Sequence, residues 1–419
     1  MGEPVTVVGI GAEGWPGLAE PSRDALRAAD VVLGGPRQLD LLDDSVPAVR
    51  RAWPSPLVPA LPGILDELAG SRVAVLASGD PMFFGIGTTL ARVVGPQRLR
   101  VLPHPSSISL ACARLGWAVQ NVELVSVVGR PLARLRRALA PGARVLVLSS
   151  GAGSPAEVAE LVAAQGFGRS TMTVLERLGE DGERVVTGTA GTWSGTSDAL
   201  NVVALDCVAD PGACLTGETP GLPDDAYDSD GQLTKREVRA VTLAHLAPRP
   251  GELLWDVGGG AGSVGIEWMR AHRTCRTITV ESRPERAGRI TANAAALGVP
   301  ELRVVTGSAP EALHGLPRPD AVFVGGGLTR DGVLQACWDA LAGGGRLVAN
   351  AVTVQTEAAL AAAHERYGGR LVRLQVSRAE PVGRAAAGGA DGAGSTRFHG
   401  WRPAMPVTIW SVEATVATR

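Results

Sequence analysis

The stretch Leu253-Leu254-Trp255-Asp256-Val257-Gly258-Gly259-Gly260-Ala261-Gly262-Ser263 runs an apolar segment straight into a glycine-rich loop, and a helical pattern over 264–270 follows. A short run of large apolar side chains suits a strand buried on both faces. Glycines are needed where the backbone turns sharply and approaches a ligand without a Cβ in the way. The helix start adds free N–H donors and the positive end of the helix dipole. Strand, glycine loop and helix in that order predict the opening of a Rossmann-like α/β sheet. The alternation continues, with strands expected at 277–281, 303–306, 321–324, 346–349, 371–376 and 407–412.

The glycine spacing argues against a dinucleotide. Gly258, Gly260 and Gly262 preceded by Asp256 give D-x-G-x-G-x-G, a form less suited to a pyrophosphate that resembles the loop of S-adenosylmethionine (SAM)-dependent methyltransferases, which wraps the methionine part of the cofactor. Glu281 ends the second strand, where a carboxylate accepts from both ribose hydroxyls. Ser308 and Ala309 follow the third strand and are placed to border an adenine. Gly325, Gly326 and Gly327 after the fourth leave open space for substrate. The expected cofactor contacts are therefore Asp256, Gly258, Gly259, Gly260, Ala261, Gly262, Ser263, Glu281, Ser308 and Ala309.

The first half reads as mixed α/β. Strands are expected at 5–9, 31–34, 73–77, 99–102, 122–128 and 144–148, then at 171–178, 183–189 and 201–206 with little helix between. That shift predicts an antiparallel closing portion and two subdomains. Gly9-Ile10-Gly11-Ala12-Glu13-Gly14 spells G-x-G-x-x-G after a strand, which alone is a weak signal. Trp15-Pro16-Gly17 prolongs the loop and Gly34-Gly35-Pro36 ends the next strand without an acid, so a nicotinamide site is not expected. The run Ser78-Gly79-Asp80-Pro81-Met82-Phe83-Phe84-Gly85 puts a carboxylate beside aromatics and a methionine. A turn alone would explain Gly-Asp-Pro. The mixture also suits a sulfur-bearing cofactor and a flat substrate. Ser106 and Ser107 open a helix after Pro103-His104-Pro105, and His104 reads as a loop histidine, with a base as the alternative.

A chain of 419 residues implies two domains. The segment 209–232, rich in Pro, Gly and Asp, separates 1–208 from 233–419. Thr234 with Glu237 three residues on predicts a capping box. Lys235, Arg236 and Arg239 follow on that helix, where they either clamp carboxylates or form a solvated face. Trp255 and Trp268 read as core. A second loose stretch, 383–400, reads as a surface loop. Net charge is −2, so nucleic acid and membrane surfaces are not expected partners. The five cysteines are isolated and no histidine pair has metal-ligand spacing, so reduced thiols and no metal are expected. Without a basic start leading into an apolar run, or a stretch of ~20 apolar residues, a cytoplasmic location is expected.

The first half resembles the tetrapyrrole (corrin/porphyrin) methylase family. The resemblance rests on V-V-G-I-G-A-E-G, S-G-D-P-M-F-F-G-I-G, P-H-P-S-S-I-S and L-E-R-L-G-E-D-G-E-R-V. The second half resembles the precorrin decarboxylating methyltransferases in L-P-D-D-A-Y, D-G-Q-L-T-K-R-E-V-R-A, W-D-V-G-G-G-A-G-S-V-G-I-E, A-N-A-A-A-L-G, G-S-A-P-E-A-L and P-V-T-I-W-S. The pairing implies a bifunctional enzyme of cobalamin biosynthesis with one SAM site per domain. It implies methylation of meso carbons 5 and 15 of precorrin-6Y and loss of carbon dioxide from an acetate arm, giving precorrin-8X. The same chemistry on a cobalt-containing precorrin is the alternative. The resemblance implies a first site at Gly9, Gly11, Gly79, Asp80, Pro81, Ser106 and Ser107. Thr234 joins the second site, and Asp80 and Lys235 are the positioning candidates. Ser308 stands where the family usually has Asp. Both families commonly assemble, which implies a homo-oligomer.

Overall fold

The computed structural model describes residues 3–213, 215–382 and 399–414. It forms two compact units, Met1–Cys214 and Leu215–Arg419. No helix among the described residues is long and apolar enough to cross a membrane.

The first unit holds two five-stranded sheets. One is parallel throughout, in the order Val49–Ala52, Val31–Gly34, Val73–Ser78, Val5–Ile10 and Leu99–Leu102. Two of its three inner strands, Val-Thr-Val-Val-Gly-Ile and Val-Ala-Val-Leu-Ala-Ser, are buried along almost their whole length, as a sheet covered on both faces requires. Val49–Ala52 is an addition to the expected strands. It carries Arg50 and Arg51 on an exposed edge, so its polar pattern hid it and also blunts that edge. Ile10 pairs with Ser78, so the loops that follow these two strands open side by side.

The second sheet runs Glu123–Ser126, Arg144–Leu148, Asn201–Asp206, Thr171–Glu176, Arg184–Thr189. Its first pair is parallel and the others are antiparallel, which is the mixed character expected. Side chains alternate between faces. Leu146, Leu175 and Val202 pack against helix Ser107–Leu115, while Val145, Val147 and Val174 pack against helix Ser154–Val162.

The second unit has a seven-stranded sheet in the order Arg303–Thr306, Arg276–Glu281, Leu253–Val257, Ala321–Val324, Arg346–Ala351, Val407–Glu413, Arg370–Leu374. The first five strands are parallel, and Val407–Glu413 is antiparallel to both neighbours. The chain steps outward from Leu253–Val257 and then returns to its other side at Ala321–Val324. That reversal opens a crevice at the carboxyl ends of these two strands. Trp268 and Trp255 are buried on opposite faces of the sheet, as expected of core residues.

Three local expectations change. The described residues of 209–232 have irregular backbone apart from a 3-10 turn at Asp224–Ala226, but they are packed. Asp210 accepts the N–H groups of Gly168 and Arg169 at 2.9 and 3.0 Å. Leu222 and Tyr227 enter the second unit's core, and Glu267 accepts from the Gly221 N–H, the Leu222 N–H and the Tyr227 hydroxyl at 2.6, 3.0 and 2.9 Å. The capping box does not form. The helix is Arg236–Leu246 with Lys235 at its N-cap, because the Thr234 carbonyl accepts from Arg239 and Glu237 pairs with Arg378 at 2.6 Å. Ser377–Pro381 and His399–Pro403 form an antiparallel pair, so His399 and Gly400 belong to a strand. The rest of the expected loop, 383–398, lies outside the described residues.

Candidate active sites

The crevice of the second unit holds a cavity of about 690 Å³. Gly258, Gly260 and Gly262 adopt φ of 76°, 59° and 78°. A Cβ on Gly258 would lie 2.6 Å from the Gly326 nitrogen, and one on Gly260 would lie 2.8 Å from the Gln232 carbonyl. The loop therefore has no room for side chains where it borders the cavity. Gly258, Gly259, Gly260, Ser263, Glu281, Ser308, Ala309, Thr234 and Lys235 all line it. Glu281 is 4% exposed and accepts the Gly260 N–H at 2.9 Å and the Arg283 N–H at 3.0 Å. It thus holds the loop closed while facing the cavity.

Asp256, Ala261 and Gly262 stand behind the wall rather than in it. Asp256 Oδ2 accepts the Gly265 N–H at 3.2 Å and the Thr279 hydroxyl at 3.4 Å, and Oδ1 has no partner. Burial pushes its carboxyl up to about 7. The Ala261 carbonyl accepts from Asn293 at 3.0 Å, and a Cβ on Gly262 would strike Ile290 at 2.7 Å. These residues shape the loop from beneath.

The rim of this cavity is cationic, and each cation has a partner. Lys235, Arg286, Arg330 and Arg378 pair with Asp224, Asp230, Glu311 and Glu237 at 3.8, 2.8, 3.2 and 2.6 Å. Its own backbone N–H, and then Arg378, hold the Glu237 carboxyl below the usual range. Arg239, read as either a clamp or part of a solvated face, is neither: it is fully buried and bound to Glu267 in a core ion pair.

The first unit's cavity measures about 440 Å³ and lies where the loops after Val5–Ile10, Val73–Ser78 and Leu99–Leu102 meet the second sheet. Gly11, Gly79, Ser106 and Ser107 line it. Gly9, Asp80 and Pro81 are behind. A Cβ on Gly9 would fall 2.1 Å from the Gly79 carbonyl, so Gly9 lets two loops touch. Asp80 Oδ1 accepts the Met82 N–H at 2.8 Å, which closes a turn. Ser106 Oγ caps its helix by accepting the Ser109 N–H at 3.1 Å.

Sequence reasoning missed polar groups on the opposite wall. Both N–H groups of Asn201 are taken by carbonyls of Gly151 and Asp198 at 3.2 and 2.7 Å, which leaves its buried Oδ1 unpartnered at the cavity. Ser149 Oγ is likewise buried, unpartnered and cavity-lining. Buried polar atoms without partners await a ligand or water. These residues sit at the ends of plain apolar strands, so no motif marked them. Glu13 was also missed: its Oε1 lies 2.5 Å from Nε2 of His104, the loop histidine already weighed as a base. Space for that carboxylate comes from Gly11 and Gly17, where a Cβ would come within 2.0 and 2.1 Å of Glu13.

The tetrapyrrole (corrin/porphyrin) methylase family matches residues 4–193, and the precorrin methyltransferase domain matches residues 225–414. A precorrin-6Y C(5,15)-methyltransferase (decarboxylating) from Sinorhizobium sp is 52% identical over 97% of this chain and 95% of its own. Two shorter relatives match part of the chain. A cobalt-precorrin-7 C(5)-methyltransferase of Salmonella typhimurium is 31% identical over 43% of this chain and 88% of its own. A probable cobalt-precorrin-6B C(15)-methyltransferase (decarboxylating) of Pyrobaculum calidifontis is 38% identical over 33% of this chain and 73% of its own.

Proposed function

The chain belongs to the family of precorrin-6Y C(5,15)-methyltransferases (decarboxylating), and from that membership we propose how its two units divide the work. It is a SAM-dependent methyltransferase of cobalamin biosynthesis that methylates carbons 5 and 15 of precorrin-6Y and removes one carboxyl group as carbon dioxide. The observation that carries this is similarity to a two-activity relative over 97% of the chain, both units included. The full-length relative is named for precorrin-6Y, so the cobalt-containing substrate is not favoured.

Each unit binds its own SAM. The first methylates carbon 5, and the second methylates carbon 15 and decarboxylates. Relatives about one unit long carry these two activities separately in their names, which supports the division. SAM supplies a methyl group on a sulfonium, and the protein supplies position. In the second unit the glycine loop and Glu281 hold the cofactor, and Ser308 borders the adenine. Lys235 and Arg378 release their internal carboxylates to meet those of the substrate. In the first unit Gly11, Gly79 and Asn201 line the cofactor cavity, with the unpartnered Asn201 Oδ1 buried behind its surface. An acceptor fixed in that way suits a ligand amino group.

The two reactions differ in proton balance. Replacing a meso hydrogen by a methyl cation equivalent releases a proton. Turning a carboxylate arm into a methyl arm takes one up. The decarboxylating site is therefore neutral overall, while the other must discharge a proton. Incubating the full chain with precorrin-6Y and SAM tests the reading by mass. A gain of two methyl groups with loss of one carbon dioxide is expected, and a gain of one methyl contradicts two working sites.

A further inference from the structure

We propose that Glu13 and His104 form the proton acceptor for the first unit's methyl transfer. This rests on the reading that the first unit methylates without decarboxylating, so that it alone has a proton to discharge. Among the described residues, the side chains lining that cavity include no carboxylate and no imidazole. The titratable pair directly behind its wall is Glu13–His104. Gly11 and Ala12 beside Glu13, and Pro105 and Ser106 beside His104, all line the cavity. The couple therefore bridges the two loops on which the wall is built.

Its arrangement is that of a base and its orienting carboxylate. Glu13 Oε1 accepts from His104 Nε2–H at 2.5 Å, which leaves Nδ1 as the basic nitrogen. The side chains are 11% and 25% exposed for His104 and Glu13, so the couple is shielded, one residue behind the cavity wall on each loop. Glu13 Oε2 is buried with no partner, lying between Gly11 and Gly179. A buried carboxylate oxygen without a partner keeps an acceptor position to spare beside the ring. Three glycines leave space for this carboxylate: a Cβ at Gly11, Gly17 or Gly179 would come within 2.0, 2.1 or 3.0 Å of it. A merely structural loop tie would not need so much cleared space.

The step balances as follows. The π pair of the meso carbon forms the new carbon–carbon bond, and the carbon–sulfur bond breaks with its pair on sulfur. The meso carbon–hydrogen bond then breaks and returns its pair to the macrocycle. His104 Nδ1 takes the proton through bridging water, and Glu13 stabilises the resulting imidazolium.

The test needs no methyl transfer. The full chain is placed in D2O with precorrin-6Y and S-adenosylhomocysteine, and deuterium entering each meso position is followed by NMR. The wild-type chain should exchange the hydrogen at carbon 5 faster than solvent does. His104→Asn should slow this about 100-fold, and Glu13→Gln about 10-fold. Methylation at carbon 15 and carbon dioxide release should be unchanged in both when SAM is supplied. Undiminished exchange in His104→Asn overturns the proposal and leaves the pair as a loop tie. Absence of enzyme-promoted exchange in the wild-type chain overturns it as well, whether or not the variants fold. A change confined to carbon 15 would support the base while overturning the division of labour between the units.

Discussion

The two units each place a glycine loop after a buried strand, and the letters look alike: Gly9-Ile10-Gly11 in one and Gly258-Gly259-Gly260 in the other. Their glycines do different jobs. At 258–262 positive φ values and blocked Cβ positions let the backbone itself form the cavity wall. At 9–17 the glycines make room for other protein atoms, the Gly79 carbonyl and the Glu13 carboxylate. A glycine pattern thus reports that something comes close, and only the fold says which protein atoms those are and whether the backbone beside them borders a cavity. The acids differ in parallel. Glu281 faces its cavity, whereas Asp80 closes a turn and Asp256 props a helix.

Substitutions can break this comparison unit by unit. The largest effect should come from Glu267→Ala, which removes the buried carboxylate of Arg239 and leaves it only the half-buried Asp224 at 3.3 Å as an ion partner. Breaking such a pair costs about 3–5 kcal/mol. Hydrogen exchange of strand Leu253–Val257 should accelerate accordingly, while strand Val73–Ser78 in the first unit should not respond. Next is the pH dependence of the same unit. The folded Asp256 carboxyl, raised to about 7 from 3.8, binds a proton that the unfolded chain has lost. Stability from this group is complete below about pH 4 and lost as pH rises through about 7, a change on the order of 4 kcal/mol. Asp256→Asn should flatten that slope, and an unchanged slope would mean that Asp256 does not carry it.

A matched pair of substitutions comes third. Gly258→Ala should lower carbon-15 methylation and carbon dioxide release by about 100-fold and spare carbon 5. Gly11→Ala, whose Cβ would displace the Glu13 carboxylate, should do the reverse. Product analysis by mass and NMR checks both, and joint loss in either variant would break the comparison. The smallest effect should be Ser308→Asp, which offers a charged acceptor in place of a hydroxyl. S-adenosylhomocysteine should bind the second unit about 3- to 10-fold more tightly.

Much of the second site was legible because its chemistry is local. Strand, glycine loop, Glu281 and Ser308 each follow a strand end, so the order along the chain gives the order around the crevice. The first site was less legible. Gly-Asp-Pro spells a turn and a binding loop equally well, and Asp80 proved to be the turn. Glu13 and His104 lie 91 residues apart, and they meet only because strands Val5–Ile10 and Leu99–Leu102 are neighbours. The cluster Gly11, Glu13, Gly14, Gly17 was the available signal, since glycines crowding one acid suggest that the acid needs space. Asn201 and Ser149 carried no signal, because one polar residue at the end of an apolar strand looks like a strand end. Strands Val49–Ala52 and Ser377–Pro381 were hidden by arginines and a proline on exposed edges.

The central claim is two unlike SAM sites in one chain, each complete within its own unit. Calorimetric titration of the full chain with S-adenosylhomocysteine tests it most directly. The account predicts two equivalents bound, with Gly79→Val removing one and Gly258→Val removing the other. One equivalent in the unaltered chain, or loss of both in either variant, would contradict it.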